Sequence, residues 1–295
     1  MKKVLVLLVL GLMVAIGSSQ AQNTLVTYDV PTSTTSITNA PAVSVAGVTA
    51  SDLTKGSGLT LSSSSSGWRA TSYGQTGSDA TALAAANTGN DYWAFSVSSS
   101  ANYNVTINGV GALSFGISAS GPRCWGLLYS TNNSTFSTVA TYTNSSSNNT
   151  VNVASSWSNV LAATPITINA GQTAYFRIVG YFSASGSGTG GIQNLGSADL
   201  TLTGTAQSLL KNLVWGGGDG LWNTSTANWL DNGSPSVFAS GNDATISSGG
   251  TLTLDSGGIT AGTLSVSNDL AVTLAGGPLS ATAITKAGTN TLSLG

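Results

Sequence analysis

The tail of the chain repeats every twenty residues, and this period limits its fold more than any other feature. Residues 241–260 read GNDATISSGGTLTLDSGGIT, 261–280 read AGTLSVSNDLAVTLAGGPLS, and 281–295 read ATAITKAGTNTLSLG. In this alignment Leu252, Val272 and Leu292 share one column, and Leu254, Leu274 and Leu294 another. Ala244, Leu264 and Ile284 form a third, and Ile259 and Leu279 a fourth. The columns between them, such as Thr253/Thr273/Ser293 and Thr245/Ser265/Thr285, are small and polar. Side chains alternate across a strand, so each block is expected to supply two short strands with their apolar residues on one face. Gly257-Gly258 and Gly276-Gly277 would turn the corners. Stacking the blocks sets each column on itself as an apolar ladder, which describes a parallel β-solenoid. An antiparallel meander of hairpins is the alternative, and it gives no reason for column identity at this period.

Two features interrupt the ladder. Lys286 takes the column of Ile246 and Val266, and the sequence stops at Gly295, inside its third block. A stack that ends within a rung leaves a strand edge and an apolar interior uncovered. The expectation is that the sequence is an N-terminal fragment, or that self-association or another chain covers the open end. Ahead of the blocks, residues 215–240 carry Trp215-Gly216-Gly217-Gly218-Asp219-Gly220-Leu221-Trp222 and then Asn228-Trp229. Trp215, Trp222 and Trp229 are expected to cap the first rung. The run AITKAGTNTLSLG at 283–295 is similar to the LTKTGAGTLTLSG signature of autotransporter-associated β-strand repeats. The Trp/Gly segment resembles the W-x-G-G…W…NW stretch that often opens such arrays. This resemblance covers about residues 213–295. It implies a β-solenoid displayed on, or released from, a bacterial cell as an adhesin-like or structural protein.

Residues 22–206 read as a separate β-sandwich, joined to the tail by a connector at 207–214. Candidate strands are Leu25–Val30, Asp91–Val97, Asn104–Ile107, Leu113–Ile117, Trp125–Tyr129, Val139–Tyr142, Thr150–Val153, Ile166–Ile168, Ala174–Phe182 and Ala198–Thr203. Gly, Asn and Ser clusters separate them at the intervals that sandwiches require. Ser62–Gly67 and Ser183–Gly191 read as loops, and Thr81–Ala86 as the one helical turn. Asp91-Tyr92-Trp93-Ala94-Phe95, with the later Ala174-Tyr175-Phe176-Arg177-Ile178-Val179-Gly180-Tyr181, resembles a jelly-roll module of secreted bacterial proteins. In that module a DYFEF strand comes early and FRIYGY…GG…IDN late. Here Gln193 stands where the Asp is usual, so no ion-related role is carried over to it.

Composition supports an all-β chain with little solvent charge. Only 6% of residues are charged and Glu is absent, against about 25% charge in an average soluble protein. Thr suits strand faces, whereas Gly, Asn and Ser suit turns. Lys2 and Lys3, the apolar run Val4–Ile16 and Ser19-Gln20-Ala21 form a signal peptide pattern over residues 1–21, expected to be cleaved before Gln22. The apolar run is shorter than the roughly 20 residues of a membrane span, and no later segment supplies an integral span. The product is expected outside the cell or on its outer surface. No basic run suggests nucleic acid as a partner.

The residue inventory points away from catalysis. Without His the chain lacks the base of a Ser-His-Asp or Cys-His site, and it has no His/Cys cluster for zinc. Its ten Asp are scattered, mostly beside turn residues. The lone Cys124 reads as a small buried apolar residue. No cofactor is assigned. Calcium is the one metal weighed, at the Gly-Gly-Gly-Asp-Gly turn 216–220 or in jelly-roll loops, with a plain Gly/Asp turn as the simpler reading of the former. Among seven tryptophans, Trp93 and Trp125 read as core, while Trp68 and Trp157, beside Ser-rich loops, are the candidates to stack on sugar. The leading expectation is a non-catalytic surface, adhesin-like or matrix protein. The rival is a carbohydrate-binding module for extracellular polysaccharide or cell-surface glycan, alone or attached to a catalytic domain beyond Gly295.

Overall fold

The computed structural model describes residues 23–31, 38–62, 67–74, 77–145, 149–267 and 269–295. The leader assigned to residues 1–21 and positions 63–66 of the first loop lie outside them. Among the described residues the chain is all-β apart from two short helices. It forms two compact units. One holds the described residues up to Ser98 together with Val105–Ile168 and Thr173–Ala206. The other holds Ser99–Asn104, Asn169–Gln172 and Gln207–Gly295.

The first unit is sandwich-like, with one core served by two sheets. The longest strand of one sheet, Tyr103–Ile117, carries Ile166–Ile168 and Asn149–Asn152 antiparallel on its two halves. It absorbs two segments expected as separate strands. The other sheet runs Ser137–Thr143, Pro122–Ser130, Thr173–Ser183, Tyr92–Ser99, Leu53–Lys55 and Thr38–Asn39. Tyr92–Ser99 alternates half-buried and buried residues without a break, placing Trp93, Phe95 and Val97 inside. Aromatic rings fill the core: Phe115 stacks on Trp125 at 3.8 Å, and Trp68 lies 4.6 Å from Trp93.

The second expected loop, Ser183–Gly191, is partly ordered into the sheets. Gly190–Gln193 is a strand between Gly67–Thr71 and Tyr103–Ile117. The amides of Ala184 and Ser185 donate to the Ser120 carbonyl. This strand was concealed because it opens on Gly190-Gly191, which carry no period-two contrast.

Helix α1, Ala80–Thr88, extends the expected turn. Asp79 caps it by accepting from the Ala82 amide at 2.9 Å. Its buried Ala82, Leu83 and Ala86 cluster with Cys124, Leu128, Val179 and Tyr181. This helix therefore covers part of the outer face of the second sheet, which is why Val179 and Tyr181 are buried on a strand whose alternation would expose them. Helix α2, Ala154–Ala163, was not expected; Ala154, Trp157 and Leu161 supply its buried stripe.

Most strands of the second unit pair in parallel, while Trp229–Asp231 pairs antiparallel with Asn212–Trp215 and with Ser234–Ser236. Asn212–Trp215, Asp243–Ile246, Ile259–Ser267 and Leu279–Ala287 form one ladder, and Gly220–Trp222, Gly250–Leu254, Val272–Gly276 and Leu292–Leu294 the other. The connector is shorter than expected. Leu200–Ser208 takes its start and Asn212–Trp215 its end, leaving residues 209–211. The segment read as a cap likewise contains strands of the first rung.

On the first ladder the twenty-residue columns hold: Ala244 pairs with Leu264 and Leu264 with Ile284. On the second they shift. Leu252 pairs with Leu274 rather than Val272, Leu254 faces Gly276, and Thr253 faces Ala275. Below that step Val272 and Leu292, and Leu274 and Leu294, pair as expected. The cause lies in the corners. Four positions separate Ile246 from Gly250 but six separate Val266 from Val272. Five separate Leu254 from Ile259 but three separate Gly276 from Leu279. One corner gains the two residues that the other loses, so the block stays at twenty. An even shift also leaves every inward side chain inward. Gly258 and Gly276, with φ of 87° and 102°, hold the left-handed conformations that the corners need.

Carboxylates fasten one rung to the next. Asp219 accepts the Thr251 amide at 2.7 Å, Asp243 that of Thr263 at 2.6 Å, and Asp269 that of Thr289 at 2.9 Å. Lys286, in an apolar column, turns its ammonium to the carbonyls of Ala287 and Gly288. A charge-assisted hydrogen bond contributes about 1.5–3 kcal/mol. Asp243→Ala is therefore expected to lower the unfolding free energy of the second unit by about that amount in urea titrations, with Asp243→Asn, which keeps an acceptor, costing less.

Candidate functional site

Both tryptophans expected to meet sugar are core residues. Trp68 sits on Gly67–Thr71 and is 1% exposed; Trp157 sits on α2 and is 0% exposed. Trp157 packs edge-on to Phe115 at 5.9 Å, and its indole N–H meets no acceptor among the described residues. Neither ring face is available for stacking. The Ser and Asn residues around Trp157 belong to a helix, and Trp68 lies on a strand whose alternation turns its ring inward. Trp157→Ala is expected to cost about 3–5 kcal/mol of folding stability, the usual penalty for truncating a buried aromatic, as read from denaturation midpoints.

Trp215, Trp222 and Trp229 are also buried, in one cluster with Phe238. Trp222 lies 4.8 Å from Trp229, and Phe238 is 5.1 Å from each. Leu252, Leu254, Leu264, Val272 and Leu274 belong to the same core, with Leu292 partly buried against it, while Ile284 and Leu294 on the last rung are 48% and 64% exposed.

Among the described residues no group of three or more His, Cys, Asp or Glu could hold a metal ion. The calcium-like turn has another use, since its Asp219 binds the Thr251 amide. Cys124 is buried and its thiol is pushed up by that burial, with Thr143 and Tyr181 as neighbours. Among the described residues no helix is long and apolar enough to cross a membrane.

The carboxylates of the first unit are also mostly committed. Asp79 caps α1, and Asp91 accepts from the Gly74 amide. Asp199 is fully buried, takes the amides of Val30 and Leu195, and lies against Asp29. Burial outweighs those two donors and lifts its carboxyl above the usual carboxylate range. The folded state thus holds this proton more tightly than the unfolded chain, so the contribution of Asp199 to stability falls as pH rises from about 4 through the raised value. Unfolding free energies between pH 3 and 7 are expected to show this decline in the wild type and to lack its Asp199 share in Asp199→Asn.

Asp52 is different. Among the described residues its carboxylate makes no hydrogen bond or ion pair, and it lines a cleft of about 410 Å³ on the outer face of the second sheet. Strand register builds this cleft. Ser96 pairs with Tyr175, which pairs with Ser130, and in the next row Thr54 pairs with Ala94. Ser51 donates its amide to the Ser96 carbonyl and accepts the Ser96 amide on its hydroxyl, setting Asp52 at the end of the row. Asn133, from the turn after Ser130, closes the other end with φ of 57°. Beside the cleft, Arg177 is sandwiched between the rings of Tyr92 at 4.1 Å and Phe136 at 3.9 Å, and donates to Asn87 at 2.8 Å.

A second cleft of about 520 Å³ is lined by Tyr129, Val139, Val160, Pro165 and Ile166 with several hydroxyls. It holds no charged or carboxamide side chain. Sequence reasoning missed both clefts because each joins residues from distant strands.

No family model, curated protein or solved structure matches the chain, so the family resemblances rest on the motifs themselves.

Proposed function

We propose that the chain is an exported, non-catalytic extracellular protein, with a jelly-roll head followed by a parallel β-solenoid that spaces or displays it at a cell surface or in a matrix. The observation that carries this reading is the pair of parallel ladders, whose inner columns are apolar and buried above the last rung and whose outer columns are mostly Thr and Ser. A stack of this kind is extended by adding rungs, so its natural product is length and a repeated surface rather than an enclosed reactive site. The antiparallel sheets of the first unit, wrapped around one aromatic core, support the jelly-roll part. The leader pattern at residues 1–21 supports export.

The architecture has a direct test. Duplicating residues 261–280 in place inserts one whole coil. It is expected to preserve cooperative unfolding of the second unit and lengthen the particle by about 4.8 Å in small-angle scattering, whereas duplicating ten residues should abolish the second unit's transition. Equal tolerance of both insertions contradicts the stack. Export is tested by fractionating the source cells. A mature N-terminus at Gln22 in the extracellular or surface fraction is expected, and an uncleaved cytoplasmic chain contradicts it. Hydrolytic or lyase turnover of polysaccharide by the purified chain would overturn the non-catalytic reading.

A further inference from the structure

Nine of the ten carboxylates already hold an amide, an ammonium or another carboxyl group. The tenth, Asp52, faces the outer-sheet cleft together with the side chains of Ser96, Asn133 and Tyr175, none of which hydrogen-bonds within the described protein. We propose that this cleft binds a neutral pyranose unit of a glycan, with Asp52, Asn133 and Tyr175 as its principal contacts.

The assignment follows from what each group offers. A carboxylate accepts from two adjacent hydroxyls in charge-assisted bonds. A carboxamide both donates and accepts, as a hydroxyl requires. The half-buried Tyr175 ring offers an apolar surface to the C–H face of a sugar while its phenol remains available for hydrogen bonding. The volume of about 410 Å³ lies within the ~300–1,000 Å³ range of small-molecule sites.

Charge narrows the class. Asp52 is the one charged residue among those lining the cleft, and Arg177 is committed to two rings and Asn87. An anionic sugar would meet a carboxylate with no cation to offset it, which disfavours uronates, sulfates and phosphates. Binding here rests on the adhesive reading only for where the glycan would be encountered.

Calorimetric titration of the whole chain with short neutral cello-, manno- and galacto-oligosaccharides tests the proposal, with oligogalacturonate and chitosan oligomers as anionic and cationic arms. Saturable binding of at least one neutral series is expected, with none of oligogalacturonate. Asp52→Ala is expected to weaken that binding about tenfold or more, and Tyr175→Ala similarly. Asn133→Gly should weaken it several-fold, and its positive φ makes glycine free of backbone cost. If Tyr175→Ala lowers the unfolding midpoint, Asp52→Ala and Asn133→Gly decide. Absence of saturable neutral binding by folded protein overturns the proposal. So does preference for the anionic or cationic arm, or neutral binding unchanged in both deciding variants. Such a failure leaves coil insertion and processing at Gln22 as separate tests of the wider reading.

Discussion

Side-chain alternation on a strand is the constraint on which the rest of this structure depends. Every residue on a regular strand faces either the interior or the outside, and a register change that keeps each side chain on its face comes in steps of two. The parallel ladders obey this rule where they depart from strict periodicity. Val266 to Val272 gains two residues, Gly276 to Leu279 loses two, and the apolar columns stay inside. In the first unit the same rule sends Trp68, Trp93 and Trp125 inward and leaves Ser96 and Tyr175 outward in one row. The aromatic core and the polar cleft are opposite faces of one sheet.

The scarcity of charge gives the second constraint. With 6% charged residues, each carboxylate has unusual weight. In the tail, Asp219, Asp243 and Asp269 take the amides of Thr251, Thr263 and Thr289 and so tie successive strands together. In the first unit, Asp79 starts a helix and Asp199 ties two segments together. Against that pattern an uncommitted Asp52 beside an uncommitted carboxamide and phenol stands out as chemistry left for a ligand.

Much of the fold was legible in the sequence because it is written in local periods. Ile166–Ile168 was read with its bounds, and the Ala244/Leu264/Ile284 column was read as it pairs. The second ladder was misread at one step because unbroken twenty-residue alignment hides compensating corner lengths. Helix α2 escaped because its signal is only Ala154, Trp157 and Leu161 at helical spacing, within a Ser- and Asn-rich stretch that reads as loop. The sugar candidates were misplaced for the same reason: neighbouring Ser residues suggested exposure, but burial is fixed by the partner sheet. The Asp52 cleft was not legible at all. Its residues lie on four separated segments, and only cross-strand register brings them together.

The most direct test of the central claim, that an even register shift keeps a parallel stack in order, is backbone nuclear Overhauser contact between adjacent rungs in selectively labelled protein. Contacts between Thr251 and Thr273, and between Thr273 and Ser293, are the expected result. Contact of Thr273 with Thr253 in place of Thr251, or antiparallel contacts within residues 241–295, would contradict it.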